Sequence, residues 1–212
     1  MKKWVVGTLL LLSAQPVLAE ALEIEYSRFY SHLRKLNSDD VQALEFAFGF
    51  SRVGQGRLCD IQKAEIVTDK KTMPVAVTPE QRFTLPQEKA LKLASAMIHI
   101  ELEEAANVCD MSVQLQTKPE YLKQHYSAED LAMLVEQYEA FFNEMGSFLS
   151  FMMPSVKGLT FQFENENLSR PVKDAPNINA GYLQLPKSWL KDGKSLTLPE
   201  KPLRVTAIAS RQ

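Results

Sequence analysis

The chain has 212 residues, of which 45% are hydrophobic and 24% charged, a globular composition that excludes the collagenous, disordered and membrane-embedded classes. With 24 Lys+Arg against 26 Asp+Glu its formal net charge is −2. That balance argues against nucleic-acid binding, which needs a basic face to displace counterions.

Met1–Ala19 is laid out as a secretory signal peptide. Lys2 and Lys3 supply the positive start, Trp4–Leu12 is uncharged and mostly apolar, and Val17 and Ala19 are small residues before a cut between Ala19 and Glu20. The apolar stretch falls short of the roughly 20 residues that a spanning helix needs. The expected plan is a signal peptide over 1–19 and a single mature α+β domain over 20–212, with sub-lobes near 20–120 and 121–212. The mature chain is expected in the periplasm, with no transmembrane span after signal removal.

Leu22–Asn37 carries Phe29, Leu33 and Leu36 at helical spacing, with Ser27 placed as an N-cap. Leu44, Phe46, Phe48 and Phe50 then alternate with smaller or polar neighbours, the period of a half-buried strand. Gly54-Gln55-Gly56 reads as the turn of a hairpin returning along Leu58–Thr68, where a shift in apolar parity predicts a bulge near Gln62–Lys63. Pro74 assigns the strand Thr72–Val77 to a sheet edge or a bulge. Pro86 opens a short helix over Gln87–Ser95, and a second hairpin is expected from Met97–Glu103 and Val108–Lys118. The two halves share an outline of helix then hairpin, but almost no identity, so coincidence is the simpler reading than duplication.

Ser127–Met153 is the clearest element. Ser127 with Asp130 three residues on resembles a capping box, and Leu131, Leu134, Tyr138, Phe141, Phe148 and Met152 recur at helical spacing up to Pro154. Strand signals return at Leu159–Phe163, Tyr182–Leu185, Ser195–Leu198 and Leu203–Ala209, with an aperiodic, mobile loop expected over Asn165–Asn179. The class is therefore α+β: antiparallel hairpins packed with two short helices and one long buried helix.

Cys59 and Cys109 are the only cysteines, and an even pair in an exported chain points to a disulfide. No Cys-x-x-Cys spacing supports a redox pair, and two cysteines do not complete a zinc shell. On a strand His99, Glu101 and Glu103 would share one face and could supply an acid and a base. The Cys-x-x-Cys partner of a zinc deaminase is missing, so the polar face of a half-buried strand explains them more simply. Gly49-Phe50-Ser51-Arg52-Val53 begins like a nucleophile elbow but lacks its second glycine. His32 and His125 read as surface or boundary residues. Glu164 and Glu166 would make a glycosidase pair only at the right spatial separation. Met145, Met152 and Met153 are interleaved with aromatic residues, as core filling rather than metal ligands. No catalytic, cofactor or metal site is expected.

Three stretches are similar to an exported family of Gram-negative bacteria catalogued only as a domain of unknown function. They are Val77–Pro86 leading into Glu88-Lys89-Ala90-Leu91, Cys109–Tyr121, and Phe141–Leu159. The resemblance implies a periplasmic location and supplies no site residue. The functional expectation is a non-catalytic binding or interaction protein with a periplasmic partner or a small apolar ligand. A carrier built around the Phe- and Met-rich helix, and a hydrolase using His99, Glu101 and Glu103, are the alternatives.

Overall fold

A computed structural model describes residues 20–145 and 155–210. The chain runs β1 (Glu20–Glu25), α1 (Tyr26–Leu33), β2 (Leu44–Arg52), β3 (Ile61–Val67), β4 (Thr72–Pro74), α2 (Lys89–Leu93), β5 (Met97–Leu102), β6 (Cys109–Thr117) and β7 (His125–Tyr126). It continues through α3 (Ala128–Met145), β8 (Ser155–Gln162), β9 (Arg170–Val172), β10 (Ala175–Ile178), β11 (Tyr182–Pro186), α4 (Lys187–Leu190), β12 (Leu196–Thr197) and β13 (Arg204–Ser210). The class is α+β, with antiparallel sheets ordered β1-β5-β3-β4 and β11-β8-β13 and the ribbons β2-β6, β9-β10 and β7-β12. Buried side chains from Tyr26 to Val205 form one hydrophobic cluster.

The two expected hairpins exchange partners. Gly54 and Gly56 turn the chain with φ of +73° and +66°, and the turn closes through Arg52 N–H to Arg57 O at 2.9 Å and Cys59 N–H to Phe50 O at 2.7 Å. There the return strand leaves β2. Phe83 takes the next place along that edge, exchanging N–H···O bonds of 2.8 and 2.9 Å with Phe48. The Gln81 side chain accepts the freed Ile61 N–H at 2.7 Å, so the fork leaves that donor satisfied. β3 then pairs with β5, while β6 pairs with β2 from Leu44↔Thr117 to Arg52↔Cys109. The bulge at Gln62 is present, between Ile61↔Leu102 and Lys63↔Glu101, and Pro74 lies on the edge strand β4.

Three other boundaries differ from the sequence reading. Glu20–Glu25 is a strand on β5 rather than part of a helix, because Leu22 and Ile24 alternate inward while Glu23 and Glu25 face out. Consequently α1 starts at Tyr26, and Ser27 donates to the Glu25 carboxylate instead of capping. Helix α2 is shorter than expected because the Glu88 N–H goes to the Tyr26 hydroxyl, which itself donates to Pro86 O. The loop after β8 is not structureless: it holds the β9-β10 ribbon, turned at Asp174 with φ +56° and fixed by Trp189 Nε1–H donating to Asp174 O at 2.9 Å.

Helix α3 has the capping box expected of it. Asp130 N–H donates to Ser127 Oγ at 3.1 Å, and Ser127 N–H to Asp130 Oδ2 at 3.0 Å. Its inward stripe of Leu131, Leu134, Val135, Tyr138 and Phe141 is buried, and Phe141 meets Phe46 edge-on at 5.6 Å. The fully buried Tyr138 hydroxyl donates to Val205 O at 2.8 Å and shares a hydrogen bond with Thr117 at 3.1 Å, joining α3, β6 and β13. The expected continuation from Gly146 to Met153 lies outside the described residues.

Candidate functional site

Cys59 and Cys109 are bonded, with Cα atoms 6.4 Å apart across 50 sequence steps. The bond spans the fork, since Cys59 precedes β3 and Cys109 opens β6. Glu104 lies against it. Its Oε2 accepts Asp60 N–H at 2.8 Å, and its Oε1 faces Arg57 at 3.2 Å and Arg52 at 3.5 Å. Burial works to raise the Glu104 carboxyl, but the Asp60 N–H, its own N–H and the two arginines outweigh it and hold the group below its ordinary value. Both sulfurs and this carboxylate lie within 4.8 Å of one another, a metal-like grouping whose thiolates are spent in the disulfide.

The His99 trio is not assembled. His99 and Glu101 do share the outer face of the four-stranded sheet, but β5 ends at Leu102, and Glu103 beyond it accepts Gln62 Nε2–H at 3.2 Å. His99 Nε2 instead faces Glu23 at 3.6 Å and Glu101 faces Lys63 at 3.8 Å, as neighbours across paired strands. Ser51 donates to the Asp110 carbonyl at 3.4 Å across the ribbon. His125 pairs with Thr197 Oγ1 at 2.8 Å, and His32 rests edge-on against Phe46, where burial and then Lys35 lower its pKa. Glu164 and Glu166 are exposed, Met145 ends α3 in solvent, and Met152 and Met153 lie outside the described residues.

A cleft of about 600 Å³ opens between the β3-β4 hairpin and α2. Ile66, Met73, Pro86 and Leu91 give it an apolar lining, and its charged residues are Lys70 and Lys71 with the acids Asp69 and Glu88. Alternation places Ile66 and Met73 on the helix-facing side of the sheet, because they occupy paired positions on β3 and β4. The lysines come from a firmly held turn: Thr68 Oγ1 accepts the N–H groups of Lys70 and Lys71 at 3.3 and 3.1 Å and donates to Lys71 O at 3.0 Å. Neither lysine forms an ion pair among the described residues. On the opposite wall Ala96 N–H returns to Leu91 O at 3.0 Å, ending α2 where its apolar residue faces inward.

Sequence reasoning missed this cleft because its two walls lie about twenty residues apart and meet only after the strand exchange. The available signal was Lys70-Lys71 between two apolar strands, which marks a turn but says nothing of what the turn overhangs. Comparisons with curated proteins and with solved structures gave no match. The family model described as a protein of unknown function, DUF2987, matches residues 18–163, most of the chain and both walls of the cleft, and the chain therefore belongs to that family.

Proposed function

We propose that the protein is exported to the periplasm and there binds a small amphipathic anion in the cleft between the β3-β4 hairpin and α2, without catalysing a reaction on it. The observation that carries the reading is the cleft itself: some 600 Å³ with an apolar lining, bordered by the acids Asp69 and Glu88 and by Lys70 and Lys71, neither lysine being in an ion pair among the described residues. Ligand pockets of this size typically combine apolar walls with a few polar groups that orient the ligand. An apolar body on Ile66, Met73 and Leu91 gains the hydrophobic term, and a carboxylate or similar head gains from Lys70 and Lys71. The signal-like start and the disulfide support export. Among the described residues no helix is long and apolar enough to cross a membrane.

Calorimetric titration with dodecanoate tests the site. Lys70→Glu with Lys71→Glu should weaken binding by about tenfold, as expected on replacing two attractive charges by repulsive ones. Met73→Trp, which sets a bulkier side chain into the apolar wall, should weaken binding. Dodecanoate binding that neither change affects refutes the assignment, as does no binding by the wild type. Periplasmic extraction followed by intact-mass measurement tests export, and the expected first residue is Glu20.

A further inference from the structure

Away from the cleft, two arginines converge on the face of β6 that carries Ser112 and Gln114. Phe83 is drawn into the core by its paired bonds to Phe48, so its predecessor Arg82 is turned to the opposite side and crosses β2 at Gly49. The crossing needs glycine: a Cβ at position 49 would lie 2.7 Å from Gln81 O and 3.5 Å from Arg82 Cδ. Arg82 Nη1 donates to Ser112 Oγ at 3.1 Å and to Ser112 O at 3.4 Å, while its Nε is buried without a hydrogen-bond partner among the described residues. Arg204, at the start of β13, is only 9% exposed, and its Nη1 donates to Gln114 Oε1 at 2.8 Å. Ser112 and Gln114 are alternate residues of one strand, so the two residues that anchor the guanidinium groups lie about 7 Å apart along it.

Both anchors are neutral. Neither arginine forms an ion pair among the described residues. The acid with most influence on Arg204 is Glu80, which is half-buried but forms no ion pair with it. Burial, and then the Arg204 charge, bring Arg82 down to about 10, so it remains cationic at neutral pH, and burial lowers Arg204 as well against the opposing charge of Glu80. Two desolvated positive charges that repel each other are costly to hold together, and an anion between them offsets that cost. A guanidinium presents several N–H donors in a planar fork that fits oxyanions bidentately. A doubly charged anion neutralises both groups, whereas a singly charged one leaves a buried charge over.

We propose that Arg82 and Arg204, held on Ser112 and Gln114, form a binding site for a doubly charged oxyanion of the kind a phosphate group presents. The site is separate from the cleft and does not depend on it.

The experiment uses the mature chain with inorganic phosphate near pH 7.5, against sodium chloride of matched ionic strength. Thermal unfolding and calorimetric titration are the readouts. Phosphate should raise the unfolding midpoint above the chloride control, with saturable binding. Arg82→Gln should reduce the affinity by about tenfold or more, while Arg82→Lys, which keeps the charge but loses the fork, should fall between. Glu80→Gln, which removes a competing negative charge, should strengthen binding. Lys70→Glu with Lys71→Glu should leave it unchanged. If phosphate gives no stabilisation beyond chloride, the proposal is overturned by the wild type alone, whatever the folding of the variants. It is equally overturned if Arg82→Gln binds phosphate as the wild type does, or if the lysine pair abolishes binding.

Discussion

Removing the Cys59–Cys109 cross-link should cost about 4 kcal/mol of stability, from the chain entropy of a loop of 50 sequence steps. The native fork is held by other means as well. Cys59 N–H bonds to Phe50 O, Asp60 N–H bonds to Glu104, and Arg57 and Arg52 close on the same carboxylate. The loss should therefore appear mainly in the unfolded state, which expands when the loop is released. Comparing oxidised with reduced wild type isolates the cross-link. Cys59→Ala with Cys109→Ala would add the packing lost at two buried sulfurs. In urea, reduction should lower the midpoint and raise the slope m, since a larger unfolded chain exposes more surface. In a thermal scan the same loss corresponds to a fall of about 8–16 °C for a domain of this size. Oxidised and reduced forms that differ by less than about 1 kcal/mol would refute the entropic argument, because the released loop would then not be free in the unfolded state.

Three further outcomes follow from the packing. Tyr138→Phe should cost about 1–3 kcal/mol in chemical denaturation, because it leaves Val205 O and the Thr117 hydroxyl buried without their shared partner. Gly49→Ala should cost about 1–3 kcal/mol, because the added Cβ meets the Gln81 backbone oxygen at 2.7 Å; a cost under about 0.5 kcal/mol would show that the segment yields freely. Glu45 is a pH-dependent case. Burial raises its carboxyl above the ordinary 4.5, although a hydrogen bond from Gln116 opposes this. A raised folded-state value means that ionisation opposes folding, a cost absent below pH 4.5 and complete once the pH exceeds the folded value. Glu45→Gln should therefore be the more stable protein at neutral pH, with the advantage vanishing in acid, and urea midpoints measured from pH 3 to 7 would show it. A constant difference across that range would contradict the linkage.

Features set by neighbours along the chain were legible in the sequence. The Ser127–Asp130 box, the turn at Gly54–Gly56, the bulge at Gln62 and the edge position of Pro74 each depend on a few adjacent residues, and each is where the pattern put it. The disulfide was legible from an even pair of cysteines in a chain expected to be exported. Glu20–Glu25 was misread because a short alternating stretch leads directly into helical spacing, and only its partner β5 decides between them. The candidate cleft and the arginine pair were not legible at all. Each joins residues far apart in sequence, and isolated lysines or arginines in a chain of near-neutral charge carry no signal of what they face.

The strand exchange has a physical cause that a hairpin rule cannot contain. A glycine turn specifies that two strands start antiparallel, and here it does so as far as Phe50 and Cys59. One residue pair further, β2 can bond either the returning strand or another segment through the same edge. Phe83 wins that place with two short bonds and a side chain that is fully buried against Phe29 and Phe48. The displaced strand loses little. Gln81, adjacent to that segment, caps the Ile61 N–H, and β5 offers Lys63 and Glu65 cross-strand neighbours in Glu101 and His99. Seating Phe83 also carries Arg82 across Gly49 to Ser112. The packing event that splits the hairpin thus also positions one half of the proposed oxyanion site. A Phe83→Ala variant should then lose both stability, by about 3–5 kcal/mol, and phosphate-dependent stabilisation. Retention of that stabilisation in a folded Phe83→Ala protein would separate the two and show that Arg82 is placed by something other than its neighbour.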